Sequence, residues 1–132
     1  MQLTNYKSQY PQVSPDGKLI ACDFLDDREG EPRWRIGVLS VEGGAPVKVF
    51  DLPPQASHRI HWAHDGRALL YVETRDGVSN IWSQPLEGGK AVRLTDFKSE
   101  LIYKFDVSYD GKQIALARGD QYQDIVLIKD FR

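Results

Sequence analysis

Three copies of one short pattern run through the chain, and they constrain its fold more than any other feature. Residues 10–21 carry Val13, Ser14, Pro15, Asp16, Gly17, Lys18, Leu19 and Ile20. Residues 60–71 carry Trp62, Asp65, Gly66, Arg67, Leu69 and Leu70, and residues 105–116 carry Val107, Asp110, Gly111, Lys112, Ile114 and Ala115. The Asp-Gly pairs lie 49 residues (16 to 65) and 45 residues (65 to 110) apart. A period of roughly 40–50 residues holding several short strands is the sequence mark of a toroidal array of four-stranded blades, a β-propeller.

A second register keeps the same spacing. Val41-Glu42-Gly43-Gly44 recurs as Leu86-Glu87-Gly88-Gly89, and Leu94-Thr95-Asp96-Phe97 recurs as Leu3-Thr4-Asn5-Tyr6. Each unit reads as four strands, a to d. Strand a precedes the Asp-Gly pair, and strand b follows it as an apolar run such as Leu19-Ile20-Ala21. Strand c holds Trp34 to Leu39, Asn80 to Ser83 or Asp124 to Ile128, and strand d holds Val47 to Phe50 or Ala91 to Leu94. Asp-Gly suits the hairpin corners because Gly, and less readily Asp, tolerates positive φ.

The third unit stops after strand c, and the missing d sequence stands at the other end, in Gln2-Leu3-Thr4. The expected organisation is one propeller segment, 1–132. Residues 1–6 form a strand d that closes a blade, 7–52 form blade 1, 53–98 blade 2, and 99–132 a blade 3 without its own strand d. The fold class is all-β, a β-propeller segment with about twelve strands in three antiparallel blades. Propellers typically need about 4–8 blades, so the segment is expected either to be part of a longer propeller or to assemble with copies of itself.

The formal net charge of −2 and a pI near 5.9 give no electrostatic footprint for nucleic acid. No apolar run is long enough to insert in a membrane, and no signal segment opens the chain. The compartment is not readable. The single cysteine, Cys22, reads as a small buried residue of strand b.

The phrase Pro11-Gln12-Val13-Ser14-Pro15-Asp16-Gly17-Lys18-Leu19-Ile20-Ala21 resembles the TolB-type, WD-repeat-like propeller motif, as does the stretch from Asn80-Ile81-Trp82 to Arg93-Leu94-Thr95. The resemblance covers nearly the whole chain. It implies a blade repeat found in periplasmic TolB, in gating propellers of prolyl-oligopeptidase-type peptidases and in C-terminal regions of bacterial serine/threonine kinases. The ending Ile125 to Arg132 is most similar to the kinase group. Propellers of this family are commonly six-bladed.

Chemistry-bearing constellations are sparse: no nucleophile elbow, phosphate loop or paired-cysteine metal motif is present. His58, His61 and His64 form the most tempting cluster, but strand residues three apart point to opposite faces, so no metal and no cofactor are expected. Asp26, Asp27, Glu29 and Glu31 lack the glycine placement of a calcium loop and read as a solvated hairpin tip. Trp34, Trp62 and Trp82 read as packing between blades.

Along strand a, Val13, Trp62 and Val107 fall on one face with Pro11, Ile60 and Phe105. Gln12, His61 and Asp106 fall on the other with Tyr10, Arg59 and Lys104. Strand a is innermost in a propeller, so this polar set is expected to approach the channel or its mouth. The b–c and d–a connections vary in length and emerge on one rim, which nominates that rim for recognition. Arg59, Arg75, Lys104 and Tyr122 are the expected contacts there.

The chain therefore reads as a non-catalytic module for protein interaction or ligand sensing, not as an enzyme, with a polar protein or peptide as its partner. The alternative is the gating, substrate-selecting propeller portion of a prolyl-oligopeptidase-type peptidase. An excised or engineered assembly piece overlaps with both. The expected assembly is a homodimer that closes a six-bladed ring, with Gln2, Leu3 and Thr4 of one chain as the assembly strand of the other.

Overall fold

The structure is a computed structural model, and it describes residues 7–120 and 123–129. Eleven strands and no helix are present among those residues. Blade 1 comprises β1 (Ser8–Val13), β2 (Leu19–Asp26), β3 (Arg33–Ser40) and β4 (Lys48–Phe50), hydrogen-bonded in that order. Blade 2 comprises β5 (His61–Trp62), β6 (Ala68–Arg75), β7 (Val78–Pro85) and β8 (Val92–Arg93). Blade 3 comprises β9 (Leu101–Val107), β10 (Gln113–Gly119) and β11 (Gln123–Lys129). Every pairing is antiparallel. The expected closing strand Gln2-Leu3-Thr4 lies outside the described residues.

Alternation along the strands builds two separate cores between the sheets. Ala21, Ile36 and Val38 of blade 1 pack against Ile60, Trp62, Leu69 and Tyr71 of blade 2. Leu70, Val72 and Ile81, on the other side of blade 2, pack against Ile102, Phe105, Ile114 and Leu116 of blade 3. A central blade whose two faces are both buried needs an almost continuous apolar strand, and Leu69-Leu70-Tyr71-Val72 supplies it. Gly37 admits the ring of Phe24, since a Cβ there would stand 2.8 Å from ring carbons. Cys22 is buried, and burial pushes its thiol up to about 11, so it behaves as a small apolar residue.

The repeated Asp-Gly corners use a different device from the two-residue hairpin. Only Gly17, Gly66 and Gly111 of these corners take positive φ. Each aspartate instead accepts the amide two residues on, Lys18, Arg67 or Lys112, at 2.9–3.0 Å. The hairpin with both central residues at positive φ is Asp76-Gly77, between β6 and β7, with φ of 51° and 77°.

Asp26 corrects the reading of a solvated tip. Its carboxylate is buried and takes Nε and Nη2 of Arg28 at 2.8 and 3.0 Å and Nη1 of Arg35 at 2.9 Å. The Arg28 guanidinium, aided by Arg35, holds it well below the usual carboxylate range.

Candidate functional site

The inner strands of the three blades stand side by side. The indole Nε1 of Trp62 donates to the Gln12 carbonyl at 2.8 Å, and His61 Nδ1 lies 3.9 Å from Asp106 Oδ1. Strand a of blade 2 is only two residues long because the preceding loop takes over its pairing. Ser57 N–H donates to the Val72 carbonyl and Thr74 N–H to the Gln55 carbonyl, so residues 55–57 continue along the edge of β6. The proline-rich d–a loop is thereby fixed to the sheet.

Between this loop and the inner strands lies a cleft of about 680 Å³, within the size range of ligand sites. Arg59 and Lys104 line it together with Tyr10, Gln55, Ser57, His61, Thr74, Tyr103 and Phe105. Among the described residues no carboxylate lines it, although the chain holds 19 acidic against 17 basic residues. A second hollow shares Gln12 and His61 with it, so the recess runs on along the inner strands.

Three features organise the cleft. Tyr10 sits at a bulge in β1 with φ of 54°, a conformation that side chains other than glycine adopt rarely and that here turns the ring toward blade 2. The Arg59 guanidinium lies 4.9 Å from the centre of that ring. His61 packs against Phe105 with ring centres 4.5 Å apart, and burial lowers its pKa, against the pull of Asp106 and with a further push from Lys104. His61 is therefore held toward the neutral form. Tyr103 donates its hydroxyl to the Asp120 carbonyl at 2.7 Å, which anchors the β10–β11 connection to the cleft wall.

Arg59 and Lys104, two of the residues nominated from sequence, meet here. Neither has an ion-pair partner among the described residues. Arg75 stands apart: its Nε lies 2.9 Å from the buried Glu73, and both project from the face of β6 opposite Val72 and Thr74, which line the cleft. Tyr122 lies outside the described residues. Tyr10 was placed by the alternation with Arg59 and Lys104, whereas Tyr103 and the loop residues Gln55 and Ser57 were not singled out.

The three histidines do not converge. His58 Nδ1 is 2.7 Å from the buried Asp23, which also accepts from Gln9 Nε2 at 2.8 Å, so His58 ties blade 2 to blade 1. His64 lies over Gly111 of the next turn. Among the described residues no three metal-ligating side chains gather, and no helix is long and apolar enough to cross a membrane.

No protein-family model matches the chain. It is similar to the uncharacterized peptidase YuxL of Bacillus subtilis, 38% identical over 122 residues, which are 92% of this chain and 17% of the relative. It is also 33% identical over 63 residues to the Tol-Pal system protein TolB of Francisella tularensis, covering 48% of this chain and 14% of that protein. Among solved structures, the putative TolB from Agrobacterium tumefaciens superposes with a TM-score of 0.67 at 26% identity, over 92% of this chain and 43% of the other. The chain thus spans about a sixth of the length of the two curated relatives. The three radial antiparallel sheets and their inner cleft define a β-propeller. Within that class the blades are TolB-like, in repeat as in fold.

Proposed function

We propose that this chain is a non-catalytic propeller module that holds an extended, acidic segment of a partner protein in the cleft along the inner strands. The observation that carries the reading is the lining itself. Among the described residues, two cations without carboxylate partners stand beside aromatic rings and strand edges, with no acidic residue to oppose an incoming carboxylate. β1, β5 and β9 each pair on one side only, so their inner edges keep backbone donors and acceptors for an extended chain. Aromatic and arginine side chains are the groups that dominate such contacts.

Fluorescence polarisation with labelled octapeptides tests this. A Glu/Tyr-rich peptide should bind in preference to its Lys/Tyr-rich counterpart, and Arg59→Glu with Lys104→Glu should reverse the preference. Equal binding of both peptides, or a preference that the two changes leave intact, sinks the reading.

The likeness to YuxL over 92% of the chain favours a second reading, the gating or substrate-selecting propeller portion of a peptidase. The cleft would then screen peptide substrates instead of holding a partner. Peptidase activity of the full gene product, with a substrate preference shifted by Lys104→Glu, would favour it. The resemblance of Ile125 to Arg132 to kinase propeller regions adds no contact to the cleft and carries no part of the proposal.

A further inference from the structure

The inner strands carry two rungs of side chains into the recess, and the rungs differ in charge. Tyr10, Arg59 and Lys104 make the first, at the cleft already described. Gln12, His61 and Asp106 make the second, at the hollow that continues it toward the Asp-Gly turns. Of these two hollows, Arg59 and Lys104 line only the first and Asp106 only the second, while Gln12 and His61 line both. The recess is therefore cationic at one end and anionic at the other.

Lys104 and Asp106 stand two residues apart on one face of β9, a spacing at which opposite charges can meet. Elsewhere in the chain they do meet: Arg75 reaches Glu73 at 2.9 Å, and Lys98 reaches Asp96 at 2.9 Å. Among the described residues, Arg59 and Lys104 pair with no carboxylate, and the one ion-pair neighbour of Asp106 is His61 Nδ1 at 3.9 Å. Burial holds His61 toward the neutral form, so the Asp106 charge stays uncompensated. Oδ1 of Asp106 accepts the Val107 amide at 2.9 Å, and the side chain is 80% exposed to the recess.

We infer that the partner segment carries a basic residue two positions from an acidic one, the acid facing Arg59 and Lys104 and the base facing Asp106. In an extended chain, residues two apart share a face and stand about 7 Å from each other, whereas adjacent residues point to opposite faces. Lys104 and Asp106 repeat that interval on β9, so each ligand charge falls opposite one of the other sign. The match holds for either direction of the ligand chain, so the mark of the partner is the spacing and not the order. The inference rests on the reading of the cleft as a peptide site and adds Asp106, which that reading does not use.

Fluorescence polarisation at low salt compares two labelled octapeptides of one Ser/Tyr-rich composition, with a single Glu and a single Lys placed either one residue apart or side by side. The spaced peptide should bind about fivefold tighter, the worth of one exposed ion pair. Asp106→Asn keeps the oxygen that accepts the Val107 amide and should bring the two peptides within about twofold of each other. Asp106→Lys should make Glu-x-Glu bind more tightly than Glu-x-Lys. Equal binding of the two spacings, or a difference that survives Asp106→Asn, overturns the inference and leaves the cleft reading standing where the Glu/Tyr-rich peptide still outbinds its Lys/Tyr-rich counterpart. If that preference is itself absent, the cleft reading fails and takes the inference with it.

Discussion

Blades 1 and 2 close their outer strand at the same register position with opposite chemistry. Ile36 faces Phe50 across β3 and β4, and Leu94 N–H donates to the Ile81 carbonyl across β7 and β8, so Arg35 and Asp51 correspond to Asn80 and Thr95. In blade 1, Arg35 gives Nε and Nη2 to Asp51 at 2.8 and 3.2 Å while Nη1 holds Asp26. In blade 2, Asn80 accepts from the Thr95 hydroxyl at 2.8 Å and the Phe97 amide at 2.7 Å, and it donates to the Phe97 carbonyl at 3.2 Å. The Thr95 hydroxyl oxygen also accepts the Ile81 amide. One closure is an ion pair whose Asp51 end is half exposed; the other is a neutral, buried network. The pair gains little because water already solvates Asp51 and salt screens it, whereas each buried amide that loses its partner costs its desolvation.

The largest effect that separates them is therefore at Asn80. Asn80→Ala orphans the Phe97 amide and the donor hydrogen of the Thr95 hydroxyl, at a cost of about 2–3 kcal/mol, or a fall in Tm on the order of 10 °C. Calorimetry at pH 7 measures it. If Asn80→Ala costs no more than Asp51→Asn, the contrast between the blades is wrong.

Acid should open blade 1 first. The carboxyls of Asp26, held down by Arg28 and then Arg35, and of Asp16, held down by the Ser14 hydroxyl, lie below the ordinary carboxylate range in the folded chain. Such groups contribute stability that is fully present above the unfolded pKa of about 4 and is lost as pH falls through their depressed folded values. The Asn80–Thr95 bonds themselves contain nothing that titrates there, and the neighbouring Asp96 carboxyl, held down by Lys98 and Arg93, is exposed and contributes less than the buried Asp26. Amide exchange followed by NMR should show protection across β3 and β4 failing before that across β7 and β8 as pH is lowered below about 4. Simultaneous loss would mean that the carboxylates do not govern the closure of blade 1.

Asp51→Asn comes next in size. With Asp51 half exposed, the change should cost about 0.5–1 kcal/mol at low salt and close to nothing in about 0.5 M NaCl. The effect of Asn80→Ala should be insensitive to the same salt. A salt-independent cost at Asp51 would show that Arg35 acts there through packing of its stem and not through charge.

These closures also show which parts of the molecule were legible beforehand. Strand order, turn positions and the two polar and apolar sets of strand a follow from local chemistry, since alternation and Asp-Gly corners act within a few residues of themselves. The grouping of Tyr10, Arg59 and Lys104 came from that alternation. Asp26 was misjudged because the arginine that buries it, Arg35, is brought across by strand pairing nine residues on. Arg75 ends β6 at the b–c hairpin, and its pairing with Glu73, two residues away on the same face, is a neighbour that the period of a strand does reveal. The short β5 had no local signal: the d–a loop replaces its pairing with β6 through backbone groups alone.

The smallest test concerns the turns. In blades 1 and 3 the corner begins with serine: the Ser14 and Ser108 hydroxyls donate to Asp16 and Asp110 at 2.7 Å and accept the Leu19 and Gln113 amides at 3.0 Å. Blade 2 has Ala63 there. It keeps the backbone bonds to Ala68 and Gly66 and the bond from the Arg67 amide to Asp65, but no hydroxyl joins them. Ala63→Ser should therefore complete the missing pair of bonds and raise Tm by about 1–3 °C, while Ser14→Ala or Ser108→Ala should lower it by a similar amount. The serine hydroxyls are the main reason Asp16 and Asp110 hold their protons less readily than usual. By the same linkage, the penalty of either Ser→Ala change is present at pH 7 and shrinks as pH falls below about 4. Ala63 also packs at the edge of the core between blades 2 and 3, so a hydroxyl that turned toward Leu70 instead of Asp65 would lower Tm. Melting curves of Ala63→Ser at pH 7 and pH 3 separate the two outcomes. A gain at pH 7 that fades at pH 3 marks the bond to Asp65, and a loss at both marks the buried hydroxyl and removes the serine corner as the reason blade 2 differs.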